Sequence, residues 1–477
     1  MPMGCWRCWG VVAMTLRIAL PKGRLLAETA GLLQRAGWQI ECYDRKMRCY
    51  RLNSGRYPDL KIKVFQEKDI PIQVAVGNYD IGICGRDWVE ELLIKYPSSA
   101  VVKITELGYG EGALYAAARS EKVAARAGIT RIVSEYPNLA ESYAEKLRLK
   151  RFSILPLWGA ADAYPPEDAE IVLLPRKQAD ELTGCGLLPL ERIVGFKACL
   201  IANRSSLKAR DMAQLLASIT DNIVCAGNYE QEKDIKSVAV AEKEEREIDG
   251  DTVRLALPDG HQQSHVRRIL DKAGIEIEDY PSKSGRRRPS SSLEGVVIKV
   301  IRPQDMPLQV ANGNFDLAIT GKDWLTDHKY RFPSSPVTEL LDLKYGWVKI
   351  VAVVHNDVPV DDIGGWQKLC QKSEVACRVA SEYTNIADEY ARSRRLGRYR
   401  IIPTWGATEA FLPEDADLLI ENTETGGTIA RHNLKIIDTL FESTACLIGG
   451  KKKISSPLKK QRIDGIMQAL KNTMEAI

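Results

Sequence analysis

The sequence predicts an α/β protein in which one two-lobed unit occurs twice in tandem, at residues 14–240 and 252–477. Three observations support this fold class. Matching motifs recur in the same order in both halves, short apolar runs alternate with helical segments inside each half, and each half is too long for a single sheet layer. Alternating strands and helices favour mainly parallel sheets, with ligands bound at the carboxyl ends of the strands.

The duplication rests on five pairs of matching segments. They are LRIALPKGRL (16–25) with VRLALPDGHQ (253–262), KDIPIQVAVGNYDIGICGRDW (68–88) with QDMPLQVANGNFDLAITGKDW (304–324), KYPSSAV (95–101) with RFPSSPV (331–337), SEYPNLAESYA (134–144) with SEYTNIADEYA (381–391), and PLWGAADAYPPEDAEIVL (156–173) with PTWGATEAFLPEDADLLI (403–420). The spacing between partners widens after the third pair, so the second copy carries about eleven extra residues near 350–375. The charged stretch 241–251 between the copies has the composition of a linker.

Individual elements follow from hydrophobic periodicity. The predicted strands and helices of the first copy are the strand RIALP (17–21), a helix that begins near Gly23 and includes LAETAGLLQRAG (26–37), the strands LKIKVF (60–65) and DIGICG (80–85), the helix SYAEKLRL (142–149) and the strand EIVLLP (170–175). The size of each copy predicts two α/β lobes with a cleft between them.

Composition excludes several protein classes. The chain has 67 basic and 63 acidic residues, a balance that argues against a nucleic-acid partner. Its eleven cysteines are scattered and often lie in apolar runs, which favours reduced thiols in the cytosol. No apolar run reaches membrane-spanning length. We therefore expect a soluble cytoplasmic protein with neither a membrane nor a nucleic-acid partner.

Residues 1–13 are predicted to be an N-terminal extension. They contain a CxxC motif at Cys5 and Cys8, but a redox or zinc site would need a βαβ context or a second pair of ligands nearby. An extension or tail preceding a start at Met14 is the simpler interpretation.

The motif with the clearest chemistry is IENTETGGTI at 420–429. An apolar strand runs into two acids, Glu421 and Glu424, and then into Thr425, Gly426, Gly427 and Thr428. Glycines permit a tight turn whose backbone N–H groups point at an anion such as a 5-phosphate, and threonine hydroxyls add donors. The two carboxylates suit the paired hydroxyls of a ribose. A Walker loop would instead need a lysine after its second glycine, and the alternative is an ordinary glycine turn.

This loop, followed by HNL and ESTACLI, resembles the phosphoribosyl-diphosphate loop of ATP phosphoribosyltransferases. LPKGRL, KDIP, GNYDIGICGRDW, SEYPN and WGATEAFLPEDAD occupy the places of that family's motifs. The resemblance implies catalytic units whose two lobes are related to the periplasmic-binding-protein fold. It also implies a glycosyltransferase of histidine biosynthesis that moves phosphoribose from phosphoribosyl diphosphate to N1 of ATP with Mg2+.

The resemblance also suggests catalytic residues. Lys22 and Arg24 of the KGR motif would hold nucleotide or pyrophosphate oxygens, and Glu409 of WGATE is the third candidate. Solvated charges in a first helical turn are the alternative for Lys22 and Arg24. No protein ligand for a metal is predicted, because the five histidines form no ligand cluster.

The two copies depart from the family pattern in opposite places. Without gaps, residues 174–181 of the first copy lie opposite 421–428 and lack the glycines, threonines and leading acids. In the second copy, KGR has become Asp259, Gly260 and His261. Three interpretations remain open: a composite site between the copies, one catalytic copy with a regulatory or structural copy, or a catalytically dead nucleotide- or small-molecule-binding paralogue. A cation from 286–288 or Lys322 is the local alternative to Lys22 and Arg24.

Partners follow from the same resemblance. ATP and phosphoribosyl diphosphate are the expected ligands, and a regulatory subunit resembling histidyl-tRNA synthetase is a further expected partner, as in the short form of the family. The two copies are expected to pack as a pseudo-twofold pair within one chain, which can assemble further. A non-enzymatic solute-binding module is the rival from another class.

Overall fold

A computed structural model describes residues 15–47, 49–120, 128–224, 250–282, 285–451, 454 and 456–475. The predicted extension 1–13, with Cys5 and Cys8, lies outside the described residues, as does 241–249 of the predicted linker. Two compact units divide the described chain. The first takes 15–114, 194–224 and 405–410, and the second takes 115–193, 250–404 and 411–475 with the same gaps. Neither unit consists of one copy, so the copy boundaries stay a prediction from the sequence.

The elements recur in the same order in both copies. The first copy has β1 (Arg17–Lys22), α1 (Leu26–Arg35), β2 (Arg51–Leu52), β3 (Lys61–Gln66), α2 (Asp69–Ala75), β4 (Ile81–Gly85), α3 (Arg86–Lys95), β5 (Val101–Glu106), β6 (Gly112–Ala118), β7 (Thr130–Ser134), α4 (Pro137–Lys146), β8 (Phe152–Pro156), β9 (Ile171–Arg176), α5 (Asp180–Gly184), β10 (Leu188–Phe196), β11 (Ala198–Asn203), α6 (Arg204–Ala209) and α7 (Ala213–Thr220). The second copy has β12 (Val253–Pro258), α8 (Gln263–Lys272), β13 (Val296–Ile301), α9 (Met306–Ala311), β14 (Leu317–Gly321), α10 (Lys322–Arg331), β15 (Val337–Asp342), β16 (Val348–His355), α11 (Ile363–Lys372), β17 (Cys377–Ser381), α12 (Thr384–Ser393), β18 (Tyr399–Pro403), β19 (Leu418–Thr423), α13 (Gly427–Arg431), β20 (Leu434–Ser443), β21 (Ala445–Gly450) and α14 (Pro457–Glu475). Helix α11 lies within the extra residues of the second copy.

The strands and helices predicted from periodicity are present, although the predicted helix 142–149 corresponds to α4, which begins earlier, at Pro137, and ends earlier, at Lys146. The four predicted strands are β1, β3, β4 and β9, within one residue at each end. Helix α1 begins at Leu26 rather than near Gly23, because Gly23 adopts a left-handed conformation with φ +92°. Its buried residues, Leu26, Thr29, Leu32 and Leu33, recur at the helical period and pack into the core of the first unit.

The four sheets share one plan, and this confirms the predicted fold class of two tandem copies with two α/β lobes each. In the first lobes the strand orders are β2-β3-β1-β4-β11-β5 and β13-β12-β14-β21-β15. In the second lobes they are β10-β6-β9-β7-β8 and β18-β17-β19-β16-β20. The second order of each pair repeats the first strand for strand, apart from the short β2 at one edge and the direction in which the order is read.

In each sheet of the second copy, four of the five strands run in the same direction, as expected for an α/β fold. Strands β12, β13, β14 and β15 run in one direction and β21 runs against them. In the other sheet, β16 runs against β17, β18, β19 and β20. Each reversed strand is the first one after the chain crosses between lobes, so it enters its sheet from the opposite end. No helix in the described part of the chain is long and apolar enough to cross a membrane.

Candidate functional site

The phosphoribosyl loop, defined as residues 421–428, comprises the end of β19, a tight turn and the start of α13. Gly426 has φ +75°, a conformation that favours glycine, and its N–H donates to the Thr423 hydroxyl at 2.9 Å. The Glu421 side chain is half-buried at the strand end, whereas Glu424, Thr425 and Thr428 are exposed. The turn therefore brings the six predicted binding residues together and leaves most of their polar groups open to solvent.

The same turn exists in the first copy, without the same chemistry. The Ser134 hydroxyl donates to the Leu173 carbonyl at 3.0 Å, as Ser381 does to Ile420 at 2.6 Å. The short helix α5 occupies the place of α13. This register supports the ungapped alignment of 174–181 with the phosphoribosyl loop. The first copy consequently presents Leu, Pro, Arg, Lys, Gln, Ala, Asp and Glu at this turn.

In the first copy, the KGR motif at the end of β1 is already engaged by protein groups. Lys22 Nζ donates to the Tyr50 hydroxyl at 2.7 Å and lies 4.7 Å from the centre of that ring. Arg24 pairs with Glu67 at 3.0 Å and with Asp87 at 2.8 Å. The two carboxylates are 8% and 0% exposed, so the arginine neutralises charge that is buried beside it.

Glu67 is the unusual member of this group. Burial raises the pKa of its carboxyl to about 7, because Arg24 offsets only part of the desolvation while Asp87 adds repulsion. The group around Arg24 therefore has a net charge of zero or minus one near neutral pH, depending on the protonation of Glu67. An anionic substrate would meet no cationic excess from Arg24 together with these two carboxylates.

In the second copy, the cation at this strand end has moved to the neighbouring segment. Asp259 stands where the first copy has Lys22, and Arg287 stands where it has Tyr50. The backbone equivalence is direct, since Val64 N donates to Tyr50 O and Val300 N to Arg287 O, both at 2.8 Å. Asp259 pairs with Arg287 Nη1 at 2.7 Å.

A second arginine reaches the same carboxylate. Arg302 Nη1 lies 3.5 Å from Asp259, which therefore sits between two guanidinium groups. Of the local cations suggested by the sequence, Arg287 is the one that lies at Asp259. Arg286 is exposed, Arg288 pairs with Glu167, and Lys322 pairs with Glu339 and Asp342. Arg287 and Arg302 thus supply local positive charge where Asp259 alone suggested repulsion.

The predicted site residues fall in different compact units. Lys22, Arg24 and Glu409 belong to the first unit, and the phosphoribosyl loop belongs to the second. Glu409 is half-buried on a short 3-10 helix, Thr408–Phe411. Its counterpart in the first copy, Asp162, belongs to the second unit and lies 4.0 Å from Arg287.

In each unit, a tryptophan from the repeated WGA motif of one copy lies near a tryptophan from the repeated DW motif of the other copy. In the first unit, Lys68 Nζ lies 4.9 Å from the ring centre of Trp405 and 5.9 Å from that of Trp88. In the second unit, the rings of Trp158 and Trp324 are 5.7 Å apart. Trp405 and Trp158 are equivalent, as are Trp88 and Trp324, so the exchange is reciprocal.

Buried ion pairs reinforce the exchange in the second unit. Lys299, 2% exposed, pairs with Asp168 at 2.5 Å and with Glu167 at 2.9 Å, and Arg288 also pairs with Glu167. Burial raises the pKa of Asp168. Burial also acts to raise the pKa of Glu167, but Arg288 and Lys299 outweigh it and bring that pKa to about 2. These contacts tie the second lobe of the first copy to the first lobe of the second.

Sequence reasoning missed three residues behind the phosphoribosyl loop. Asn422 Nδ2 donates to the Tyr383 hydroxyl at 3.0 Å, and that hydroxyl donates to Asp323 at 2.6 Å. Asp323 and Tyr383 belong to the repeated GxDW and SEY motifs, which was the available signal. The described residues contain no group of three or more His, Cys, Asp or Glu side chains arranged to hold a metal ion.

Comparison with known proteins supports the motif-based resemblance. The sequence model of the HisG family, described as ATP phosphoribosyltransferase, matches residues 66–223 and 302–472. An ATP phosphoribosyltransferase of Prosthecochloris aestuarii is 29% identical over 232 residues, which cover 47% of this chain and 72% of the relative. One of Desulfatibacillum aliphaticivorans is 29% identical over 232 residues, covering 47% and 74%.

Solved structures give weaker likenesses. The ATP phosphoribosyl transferase (HisG:HisZ) complex from Thermotoga maritima matches 47% of this chain and 100% of its own, with 22% identity and a TM-score of 0.39. The alkanesulfonate-binding protein SsuA from Xanthomonas axonopodis matches 47% and 73%, with 10% identity and a TM-score of 0.29. The family assignment rests on the sequence match, which extends over both copies and more than half of the chain. The chain belongs to the ATP phosphoribosyltransferase (HisG) family.

Proposed function

We propose that this chain transfers phosphoribose from phosphoribosyl diphosphate to N1 of ATP, giving phosphoribosyl-ATP and pyrophosphate, as the first step of histidine biosynthesis. The observation that carries the proposal is the phosphoribosyl loop. This segment is a glycine turn between a strand and a helix, with acids before it and threonines beside it. In the proposed complex, Glu421 and Glu424 bind the ribose hydroxyls, and Thr425, Thr428 and the backbone of the turn bind the 5-phosphate. The family assignment supports the same reaction.

The reaction needs little from acid–base side chains. Adenine N1 already carries the lone pair that attacks the anomeric carbon of the ribose, and pyrophosphate departs with the bonding electrons. Catalysis then depends on aligning the two substrates and on neutralising the leaving group. Mg2+ commonly binds one or two carboxylates together with substrate phosphates, so it would enter with the diphosphate, with Glu421 and Glu424 as nearby oxygen donors.

Two sources of positive charge for the pyrophosphate are compatible with the proposal. A composite site would use Lys22 and Arg24 of the first copy, with Glu409 as a further catalytic group. A local site would use Arg287 and Arg302. We favour the local source, because Arg24 is engaged by two buried carboxylates, whereas Asp259 holds both arginines at the second copy's own strand end.

The decisive experiment is an assay of the full chain with ATP, phosphoribosyl diphosphate and Mg2+, following phosphoribosyl-ATP. Thr425→Ala and Thr428→Ala should each lower the rate by on the order of a hundredfold, since each removes one preorganised donor. The matched controls are Gln178→Ala and Glu181→Ala, at the equivalent places of the first copy's turn. Equal losses in the control variants would place the site elsewhere.

A catalytically inactive nucleotide- or small-molecule-binding paralogue is the second candidate. Asp259 at the KGR position and the altered turn at 174–181 favour it, because both remove groups that the family's reaction would use. The two candidates separate in the same assay. A folded wild-type chain that binds ATP or phosphoribosyl diphosphate but gives no turnover supports the paralogue.

We also propose a cytoplasmic location and a regulatory subunit that resembles histidyl-tRNA synthetase. The solved HisG:HisZ complex of Thermotoga maritima is an assembly of a family member with a second protein. The assay should therefore be run with and without such a subunit from the same organism. Turnover that appears only with the subunit would support both the reaction and the partner.

A further inference from the structure

The phosphoribosyl loop of the second copy is held by a chain of hydrogen bonds that leads from its exposed Asn422 to buried groups behind it. Asn422 lies on β19 immediately after Glu421, and its side-chain amide donates to the Tyr383 hydroxyl at 3.0 Å. The same hydroxyl donates to Asp323 Oδ2 at 2.6 Å, and Ser443 donates to Asp323 Oδ1 at 3.1 Å. These hydrogen bonds lead from the phosphoribosyl loop through the second lobe of the second copy to α10 in its first lobe.

Tyr383, Asp323 and Ser443 are shielded from solvent, whereas Asn422 lies at the exposed end of the chain of hydrogen bonds. Tyr383 is 1% exposed and Asp323 is 5% exposed, and the ring of Tyr383 stacks on Trp324 with centroids 4.3 Å apart. Burial, with Asp323 adding to it, holds the pKa of Tyr383 well above its usual value, so the hydroxyl keeps its proton and can donate it. A hydroxyl that donates to one partner and accepts from another holds both partner side chains in place.

The first copy differs at the loop end of this chain. Pro175 stands in the place of Asn422 and has no side-chain amide to donate. At the other end, Asp87 pairs with Arg24 at 2.8 Å, and its counterpart Asp323 accepts hydrogen bonds from the hydroxyls of Tyr383 and Ser443. The loop-side donor is thus missing in the copy that has lost the phosphoribosyl loop and present in the copy that keeps it.

We propose that Tyr383 is a positioning residue for the phosphoribosyl loop, acting through Asn422 and anchored by Asp323. This inference rests on the proposed function, because it takes phosphoribosyl diphosphate as the ligand. Tyr383 is too buried to touch the substrate. Its hydroxyl fixes the strand end from which Glu421 and Glu424 project, so we expect it to set the affinity for phosphoribosyl diphosphate and not for ATP.

The test uses the full chain and the variants Tyr383→Phe, Asn422→Ala and their combination. Tyr383→Phe keeps the ring and its stacking on Trp324 and removes only the hydroxyl. The matched control is Tyr390→Phe, on the same helix, α12, where the lost hydrogen bond is to Asp438. Calorimetry would measure the Kd for phosphoribosyl diphosphate and for ATP. Hydrogen exchange would measure how fast the backbone amides of 422–429 exchange in the absence of ligand.

We expect each single variant to raise the Kd for phosphoribosyl diphosphate about tenfold, the loss typical of one buried hydrogen bond. The double variant should be no worse than either single variant, because both remove the same bond. The Kd for ATP should stay within about twofold. Exchange of the loop amides should be faster in Tyr383→Phe and unchanged in Tyr390→Phe.

Three outcomes would overturn the positioning role. These are additive losses in the double variant, an equal loss of ATP affinity, or unchanged loop exchange in Tyr383→Phe. If the wild-type chain binds no phosphoribosyl diphosphate, the proposed function itself fails and the inference falls with it. If the wild type binds phosphoribosyl diphosphate and Tyr383→Phe binds it equally well, the inference is rejected while the proposed function stands.

Discussion

Replacing Arg24 by alanine would separate a structural role of this arginine from a role in substrate binding. The guanidinium faces Glu67 and Asp87, which are 8% and 0% exposed. The variant leaves both carboxylates buried without this cation. We expect the first unit to lose stability, while the second copy's affinity for phosphoribosyl diphosphate stays unchanged.

The magnitude follows from burial. Breaking a buried ion pair by removing one partner costs about 3–5 kcal/mol. Arg24 is 37% exposed, and solvent screening reduces the expected loss to about 1–3 kcal/mol. The loss should depend on pH, because burial, opposed by Arg24, raises the pKa of Glu67 from 4.5 to about 7.

The direction of this pH dependence is fixed by the raised pKa. The folded state holds the Glu67 proton more tightly than the unfolded chain, so the stability from that proton is complete below the unfolded value of 4.5 and disappears as the pH rises through about 7. A protonated Glu67 needs the guanidinium less. Asp87 still needs the guanidinium at either pH, so the Arg24→Ala variant should lose less stability at about pH 5.5 than at about pH 8.

The assay is urea unfolding of the full chain at both pH values, with hydrogen exchange of β4 as a local probe. Arg86→Ala is the matched control, because Arg86 pairs with the more exposed Glu90 and should cost less than about 1 kcal/mol. Adding Glu67→Gln to Arg24→Ala should recover part of the loss at high pH. A loss that is independent of pH would refute the reasoning. Unchanged stability with sharply weaker turnover would support the composite site.

Three further predictions concern the second unit. Gly426→Ala should raise the Kd for phosphoribosyl diphosphate about fivefold to thirtyfold in calorimetry, because a left-handed residue other than glycine costs about 1–2 kcal/mol, and nothing lies within 4 Å of the added Cβ to add a clash. Asp259→Lys should lower the free energy of unfolding by about 1–3 kcal/mol. Adding Arg287→Tyr, which recreates the Lys22 arrangement, should restore most of the lost stability, and additive losses from the two substitutions would contradict this. Lys299→Met should cost about 3–5 kcal/mol near neutral pH. The effect of Lys299→Met on the free energy of unfolding should diminish in acid. Burial acts to raise the pKa of Glu167, but its cationic partners outweigh burial and lower that pKa from 4.5 to about 2, so the stability gained through Glu167 is complete above pH 4.5 and is lost as the pH falls through 2. An equal loss of stability at about pH 2 and pH 7 would argue against this pair.

The sequence was sufficient for features that depend on local pattern. Hydrophobic periodicity placed the strands, the repeats gave the duplication, and the glycines and acids of 421–428 identified the phosphoribosyl loop. Those features need only neighbouring residues, or the comparison of one copy with the other.

Features that depend on distant pairing were beyond the sequence. The sequence offered 286–288 only as one alternative source of cations, because it does not show that Asp259 pairs with Arg287, 28 residues away on another segment. Arg24 looked available for an anion because Glu67 and Asp87 join it only in the folded unit, and Asp87 is 63 residues distant. In each case the charge of a residue could be read from the sequence, but the charge of its surroundings could not.

The reciprocal exchange of segments has a consequence for how the chain folds during synthesis. Asp168 leaves the ribosome 131 residues before Lys299, the buried cation with which it pairs. At typical rates of translation that interval is on the order of ten seconds. During this time the second lobe of the first copy has a future buried carboxylate still in water, and the surface that will cover it has not been made. The first copy, whose turn lacks the phosphoribosyl residues, therefore supplies a preformed surface against which the first lobe of the second copy packs as it emerges.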